Sequence, residues 1–179
     1  MRFLLQLLLL LFFNVALGQI QENKELLKLS PFNLGDSINK FQANILCTDA
    51  DKTRKCEMYL YLPNKKDPKI IAGISFDDLK VFVGKKQVVK NIYLTKYYKG
   101  VDSSTLNAEL EKDFNKLSNH FKDIYRKRKF TNGKNKLNDI EWEGYRWVTD
   151  NYLFDLQREN FKKKDGQYLF LISIMVMGK

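Results

Sequence analysis

The stretch Tyr168–Met177, YLFLISIMVM, decides the fold of this chain. Ten residues carry no charge, and β-branched and aromatic side chains dominate them. Tyr168, Phe170, Ile172, Ile174 and Val176 share one face at period two. Leu169, Leu171, Met175 and Met177 make the other face apolar as well, with Ser173 the single polar residue. A strand that is apolar on both faces calls for cover on both. Asp165-Gly166 just before it is a turn signal, which favours a strand over a buried helix. The reading is therefore a central strand with the rest of the chain packed around it.

The segments before it read as strands too. Ile140–Thr149, Tyr152–Arg158 and the final strand form a three-strand antiparallel meander, with a bulge expected at Gly144 where the alternation changes phase between Trp142 and Trp147. Upstream, Leu79–Val83 alternates cleanly, Gly84-Lys85-Lys86 turns, and Gln87–Tyr98 returns as a long strand. Glu57–Leu62 and Ile70–Phe76 read as two further strands. Thr131 to Asn138 reads as a polar loop.

Two segments carry a helical period. Leu106, Leu110, Phe114, Leu117, Phe121 and Ile124 recur at steps of three and four, with Asp102, Ser103 or Ser104 as cap. Leu34, Ile38, Phe41 and Ile45 predict a shorter helix capped by Asp36 or Ser37. Strands with inserted helices and no βαβ alternation give an α+β class: a mostly antiparallel sheet, a hairpin plus the meander, with one short N-terminal and one long helix packed on it.

The N-terminus has the anatomy of a secretory signal peptide. Arg2 precedes the apolar run Phe3–Phe13, and Ala16-Leu17-Gly18 supplies small residues at a cleavage site. The run is about half of the roughly twenty residues that span a bilayer. Residues 1–18 are read as the leader and 19–179 as one α+β domain, exported to the periplasm or the extracellular space. No membrane span is expected in the mature chain. Export makes a disulfide between Cys47 and Cys56, the two cysteines of the chain, the natural expectation.

Catalytic signals are sparse. His120 is the single histidine, which excludes multi-histidine zinc sites and leaves a triad without support. Neither G-x-x-x-x-G-K nor G-x-G-x-x-G occurs, so no phosphate-cradling loop and no cofactor is expected. Glu141, Glu143 and Asp155 are the carboxylates a small secreted hydrolase would use. Asp49 and Asp51 lack the further oxygen ligands of a calcium loop, so no metal site is expected.

Charge is the strongest surface signal. The chain is formally +10, and no acid lies between Leu79 and Gly100. Lys85, Lys86, Lys90 and Lys96 decorate the hairpin, and Arg126, Lys127, Arg128 and Lys129 follow the long helix. With Trp142, Tyr145 and Trp147 they form the candidate binding set, an aromatic-bearing basic surface facing an acidic protein or an anionic envelope polymer. Nucleic acid is set aside, because no recognition motif accompanies the lysines. Such lysines also keep sheet edges from pairing with other chains. The functional expectation is a small exported, non-enzymatic binding protein. The alternatives are a periplasmic inhibitor or immunity-type protein that blocks an exported enzyme, and the hydrolase named above.

Overall fold

The structure is a computed structural model that describes residues 31–48, 56–62, 70–84, 86–126, 128–137, 140–162 and 167–179. The leader and its cleavage site lie outside the described residues, as do Lys85 and Lys127.

Eight strands form one antiparallel sheet. They are β1 (Ile45–Cys47), β2 (Met58–Tyr61), β5 (Asp78–Val83), β6 (Val89–Gly100), β7 (Lys129–Leu137), β8 (Ile140–Val148), β9 (Tyr152–Lys162) and β10 (Tyr168–Gly178). The order across the sheet is β1-β2-β5-β6-β10-β9-β8-β7. Two meanders thus meet at β6 and β10, and the final strand is central, as its double apolar face requires. A two-residue pair, β3 (Ile70–Ile71) and β4 (Ile74–Ser75), stands apart. The long helix α1 (Ser103–Ile124) follows β6 and packs on β6, β10 and β9 before the chain reaches the far edge at β7.

The core lies on one face of this sheet. Leu110, Phe114, Leu117 and Phe121 of α1 are buried against it, as the helical period predicts. Phe121 meets Phe154 at 4.5 Å between ring centroids, and Phe114 stacks on Tyr145 at 5.8 Å. Asp102 caps the helix, accepting hydrogen bonds from the Ser104 and Thr105 backbone N–H groups. The hydroxyls of Thr105 and Ser104, which also donate to it, and then those backbone bonds pull its pKa down to about 2. Where α1 does not reach, Phe32, Ile38, Ile71, Ile74 and Phe76 complete the same hydrophobic layer.

Several elements differ from the sequence reading. The short N-terminal helix is a 3-10 turn, Ile38–Asn44, and Ile45 already belongs to β1. Ser37 makes no side-chain cap, and its backbone bridges to Val88 instead. Ile38 and Phe41 sit three residues apart, a spacing that one 3-10 turn serves as well as an α-helix. Ile70–Phe76 is not one strand, because Ala72 and Gly73 turn with positive φ of 50° and 73°, the geometry of a two-residue hairpin.

The expected polar loop at residues 131–138 is largely strand β7. It is an edge strand, so one side pairs with β8 and hydrophobic alternation is not demanded of it. Gly144 carries no bulge: the register of β8 runs unbroken against both β7 and β9. Trp142 and Trp147 simply fall on opposite faces. The sheet's irregularity lies between Phe82 and Val83, where β5 meets β6.

The disulfide is present. Cys47 ends β1 and Cys56 precedes β2, with Cα atoms 6.0 Å apart. Among the described residues no helix is long and apolar enough to cross a membrane.

Candidate functional site

Strand register sorts the side chains of the second face into transverse rows. One row runs Lys80–Tyr93–Met175–Asp155–Arg146–Thr131 from β5 to β7. The next runs Asp78–Thr95–Ser173–Gln157–Gly144–Gly133. A third runs Tyr97–Leu171–Glu159–Trp142 from β6 to β8. No described helix or strand packs on this face. Except at Gln157, the middle row has shorter side chains than the rows that flank it, so the face is hollow along most of it. A trough therefore crosses the strands, with Thr95, Ser173, Gln157, Gly144 and Gly133 as its floor. From β6 to β7 it passes four strand intervals, about 19 Å.

The floor is shaded by its walls. Thr95 and Ser173 retain only 9% and 6% of their exposure. The glycines at the β7 end are dictated by close approach. A Cβ on Gly144 would meet the Leu156 carbonyl oxygen at 2.7 Å and Gln157 Cγ at 2.9 Å. A Cβ on Gly133 would meet the Trp142 ring at 3.0 Å. The indole thus lies against the glycine, a packing that compensates for a missing side chain in a strand. Above these residues is an open depression of 170 Å³, lined by Thr131, Gly133, Trp142, Arg146, Asp155 and Gln157 among others.

Walls on either side are set by polar contacts. Asp155 is 1% exposed, and Arg146 clamps it with two hydrogen bonds, Nε to Oδ1 at 2.7 Å and an Nη to Oδ2 at 2.6 Å. Those bonds raise the Arg146 pKa further. Tyr97 donates its hydroxyl to Asp78 at 3.0 Å, and Lys80 lies 3.8 Å from the same carboxylate. Tyr93 packs on Phe82 at 5.4 Å. Burial, with the negative charges of Asp155 and Glu159, pushes the Tyr93 hydroxyl up. Glu159 is half-buried, and burial pushes its carboxyl above the ordinary range.

The candidate residues named from sequence are dispersed. Trp142 is the one member of the aromatic trio on the trough. Trp147 is 1% exposed and packs among Phe121, Tyr125 and Phe154 on the helix side. Tyr145 lies under α1, with the Lys122 ammonium 4.4 Å from its ring centre. Lys96 also faces the helix and binds Asp113 at 2.5 Å, and Tyr98 donates to the same carboxylate at 2.8 Å. Burial alone would raise the Asp113 pKa, but these two partners outweigh it and hold it low. Arg128 pairs with Asp150 at 3.0 Å.

Lys86, Lys90, Arg126 and Lys129 are exposed. The row Asn91–Met177–Leu153–Val148–Lys129 places the hairpin cluster and the post-helix cluster at the same end of the sheet. They lie near β6 and β7, so roughly 19 Å separates them, more than a Debye length in physiological salt. Among the described residues the two clusters do not make one continuous patch.

Glu143 and Asp155 fall on opposite faces. Glu143 binds Arg158 at 2.7 Å, and Arg158 also reaches Glu111 of α1 at 3.1 Å. These two carboxylates do not form a pair around one substrate. His120 is half-buried with its ring edge-on to Phe121 at 5.2 Å. Among the described residues no group of three or more His, Cys, Asp or Glu side chains gathers to hold a metal.

Period-two alternation alone places Tyr93, Thr95 and Tyr97 opposite Ile92 and Leu94. Joining them to Ser173, Gln157, Glu159 and Gly144 takes the register of four strands, which no local pattern encodes. Comparison with protein-family models, curated proteins and solved structures gives no match for this chain.

Proposed function

We propose that this chain is a non-enzymatic binding protein, exported to an oxidising compartment, whose ligand lies in the trough across the helix-free face of the sheet. One observation carries the reading: a polar, small-residue floor between walls that hold Trp142, Tyr93, Leu171 and Met175, with no described element packed on it. A sheet face that only meets water has no need of such walls. The depression is small against the roughly 300–1,000 Å³ of pockets that enclose a small molecule. It fits one unit of a longer chain lying along the trough. An inhibitor that blocks an exported enzyme would use the same face to hold a segment of its target.

The test is amide chemical-shift mapping on the full chain with three probe classes: extended peptides, neutral oligosaccharides and polyanions. Shifts centred on Thr95, Ser173, Gln157 and Gly144 are expected for a true ligand. Shifts confined to α1 or to the basic end, for every probe that binds, would refute the assignment.

A second reading has its own support. Lys86, Lys90, Arg126 and Lys129 are exposed at one end of the sheet, where an acidic protein or anionic envelope polymer would be drawn. In that case polyanion-induced shifts appear at Lys90 and Lys129, and they fade between low and physiological salt.

A further inference from the structure

The trough differs in charge from the protein that carries it. The chain is +10. The three rows that build the trough hold Asp78, Asp155 and Glu159 against Lys80 and Arg146, which is −1. Two of these acids already have partners: Asp155 has Arg146, and Asp78 has Tyr97 and Lys80. Glu159 makes no hydrogen bond or ion pair among the described residues. It is half-buried, and its direct cross-strand neighbours are Leu171 on β10 and Trp142 on β8.

We infer that the trough takes an extended polypeptide segment bearing a lysine or arginine side chain, whose cationic head sits between Glu159 and the Trp142 ring. This rests on the trough being the ligand site. A carboxylate set among apolar neighbours without a partner is costly, and an incoming cation removes that cost. An indole beside it adds attraction for the same cation. Directly opposed strand residues have Cβ atoms about 5 Å apart, so one ammonium or guanidinium can meet both. The floor offers an extended backbone the Gln157 carboxamide, able to donate and to accept, and the open depression beside Trp142 adds Thr131 and Arg146. Its length of about 19 Å matches roughly six extended residues. The upward push on the Glu159 pKa agrees with a charge waiting for its partner.

The experiment titrates the full chain with four probes: a capped heptapeptide with one central lysine, its norleucine counterpart, its glutamate counterpart, and a protonated amino-sugar oligomer. Binding is read by amide shifts and by tryptophan fluorescence, in which Trp142 responds and core Trp147 does not. The lysine peptide should bind about tenfold more tightly than the norleucine peptide, as a charge-assisted contact with an aromatic neighbour provides. In Glu159→Gln that preference should fall to near unity while both peptides still shift the floor residues. Trp142→Phe should weaken the lysine peptide more than the norleucine one. An undiminished lysine preference in Glu159→Gln would overturn the inference, and so would tighter binding of the amino-sugar oligomer than of any peptide. Peptides that bind in the trough without a lysine preference would overturn this inference alone. Absence of trough shifts with every probe would remove the proposed site as well.

Discussion

Replacing Arg146 by methionine tests whether the trough wall is held by its ion pair. The replacement keeps an unbranched apolar stem and removes the guanidinium. Asp155, 1% exposed beneath the guanidinium, loses both of these hydrogen bonds. Breaking a buried pair from one side typically costs about 3–5 kcal/mol, because the remaining charge is uncompensated. The Arg146 side chain keeps 48% of its own exposure, so water can enter where the guanidinium was. A loss of about 2 kcal/mol is the expectation once that screening is discounted. For a domain of this size it corresponds to a Tm lower by about 4–8 °C. Urea denaturation at neutral pH, with unchanged slope, measures it directly. Arg146→Met with Asp155→Asn should recover much of the loss, since no buried charge is left alone. Arg146→Lys should fall between, because an ammonium cannot span both carboxylate oxygens. A change within about 0.5 kcal/mol for Arg146→Met, the level of ordinary surface substitutions, would refute the reasoning.

Gly144→Ala should destabilise by about 1–3 kcal/mol in urea denaturation, because its Cβ has backbone and not a flexible side chain at 2.7 Å. Reducing the Cys47–Cys56 bridge should lower stability by about 2–3 kcal/mol, the chain-entropy value for a loop of this length, read from urea melts with and without reductant. Asp113 has a lowered folded pKa, so its contribution is complete above the unfolded carboxylate range near pH 4 and is lost as pH falls through the folded value. Asp113→Asn should therefore flatten the acid limb of the stability profile. Glu159 has the opposite sign: burial lifts its folded pKa above the ordinary carboxylate range, so stability is complete below that range and declines as pH rises through the folded value. Glu159→Gln should match the parent at pH 4 and exceed it at pH 7 in unligated melts.

What the sequence made legible follows from how local each signal is. The α1 stripe Leu106–Ile124 and its Asp102 cap are written within one segment, and they form as read. Strand β9 alternates within itself, and β10 is central because both of its faces are apolar. Strand β7 was invisible for a physical reason: KFTNGKNKL has edge composition, and its pairing comes from β8. Ile38 and Phe41 suit a 3-10 turn and an α-helix equally, being an i, i+3 pair, and Ile45 at i+4 from Phe41 fits the helical period although it opens β1. Of the aromatic set, Trp142 faces the trough and Trp147 the core, and the sequence offered no way to choose. Around Gly144 the pattern suggests a phase change, yet the register runs unbroken and puts the two tryptophans on opposite faces. The partner of Lys96 lies on α1, a tertiary contact that no composition predicts.

The second face of the sheet holds the remaining argument. One helix of 22 residues is about 33 Å long and covers a stripe about 10 Å wide. Eight strands span seven intervals, about 34 Å. The helix, the 3-10 turn and the β3–β4 pair are all spent on one face. Folding alone would then favour threonine and lysine on the other, as in most antiparallel sheets covered on a single side. Instead Phe82, Met175, Leu171, Leu153, Val148 and Trp142 stand there, half-buried by one another. The lysines of β7 sit on an edge strand, where they discourage pairing with another chain. Asp78 and Asp155 on this face have partners, and Glu159 has none among the described residues. A surface kept apolar in its walls, polar in its floor and open in one charge has the chemistry of a site that is completed by a ligand. The matched lysine and norleucine peptides ask for that missing charge directly.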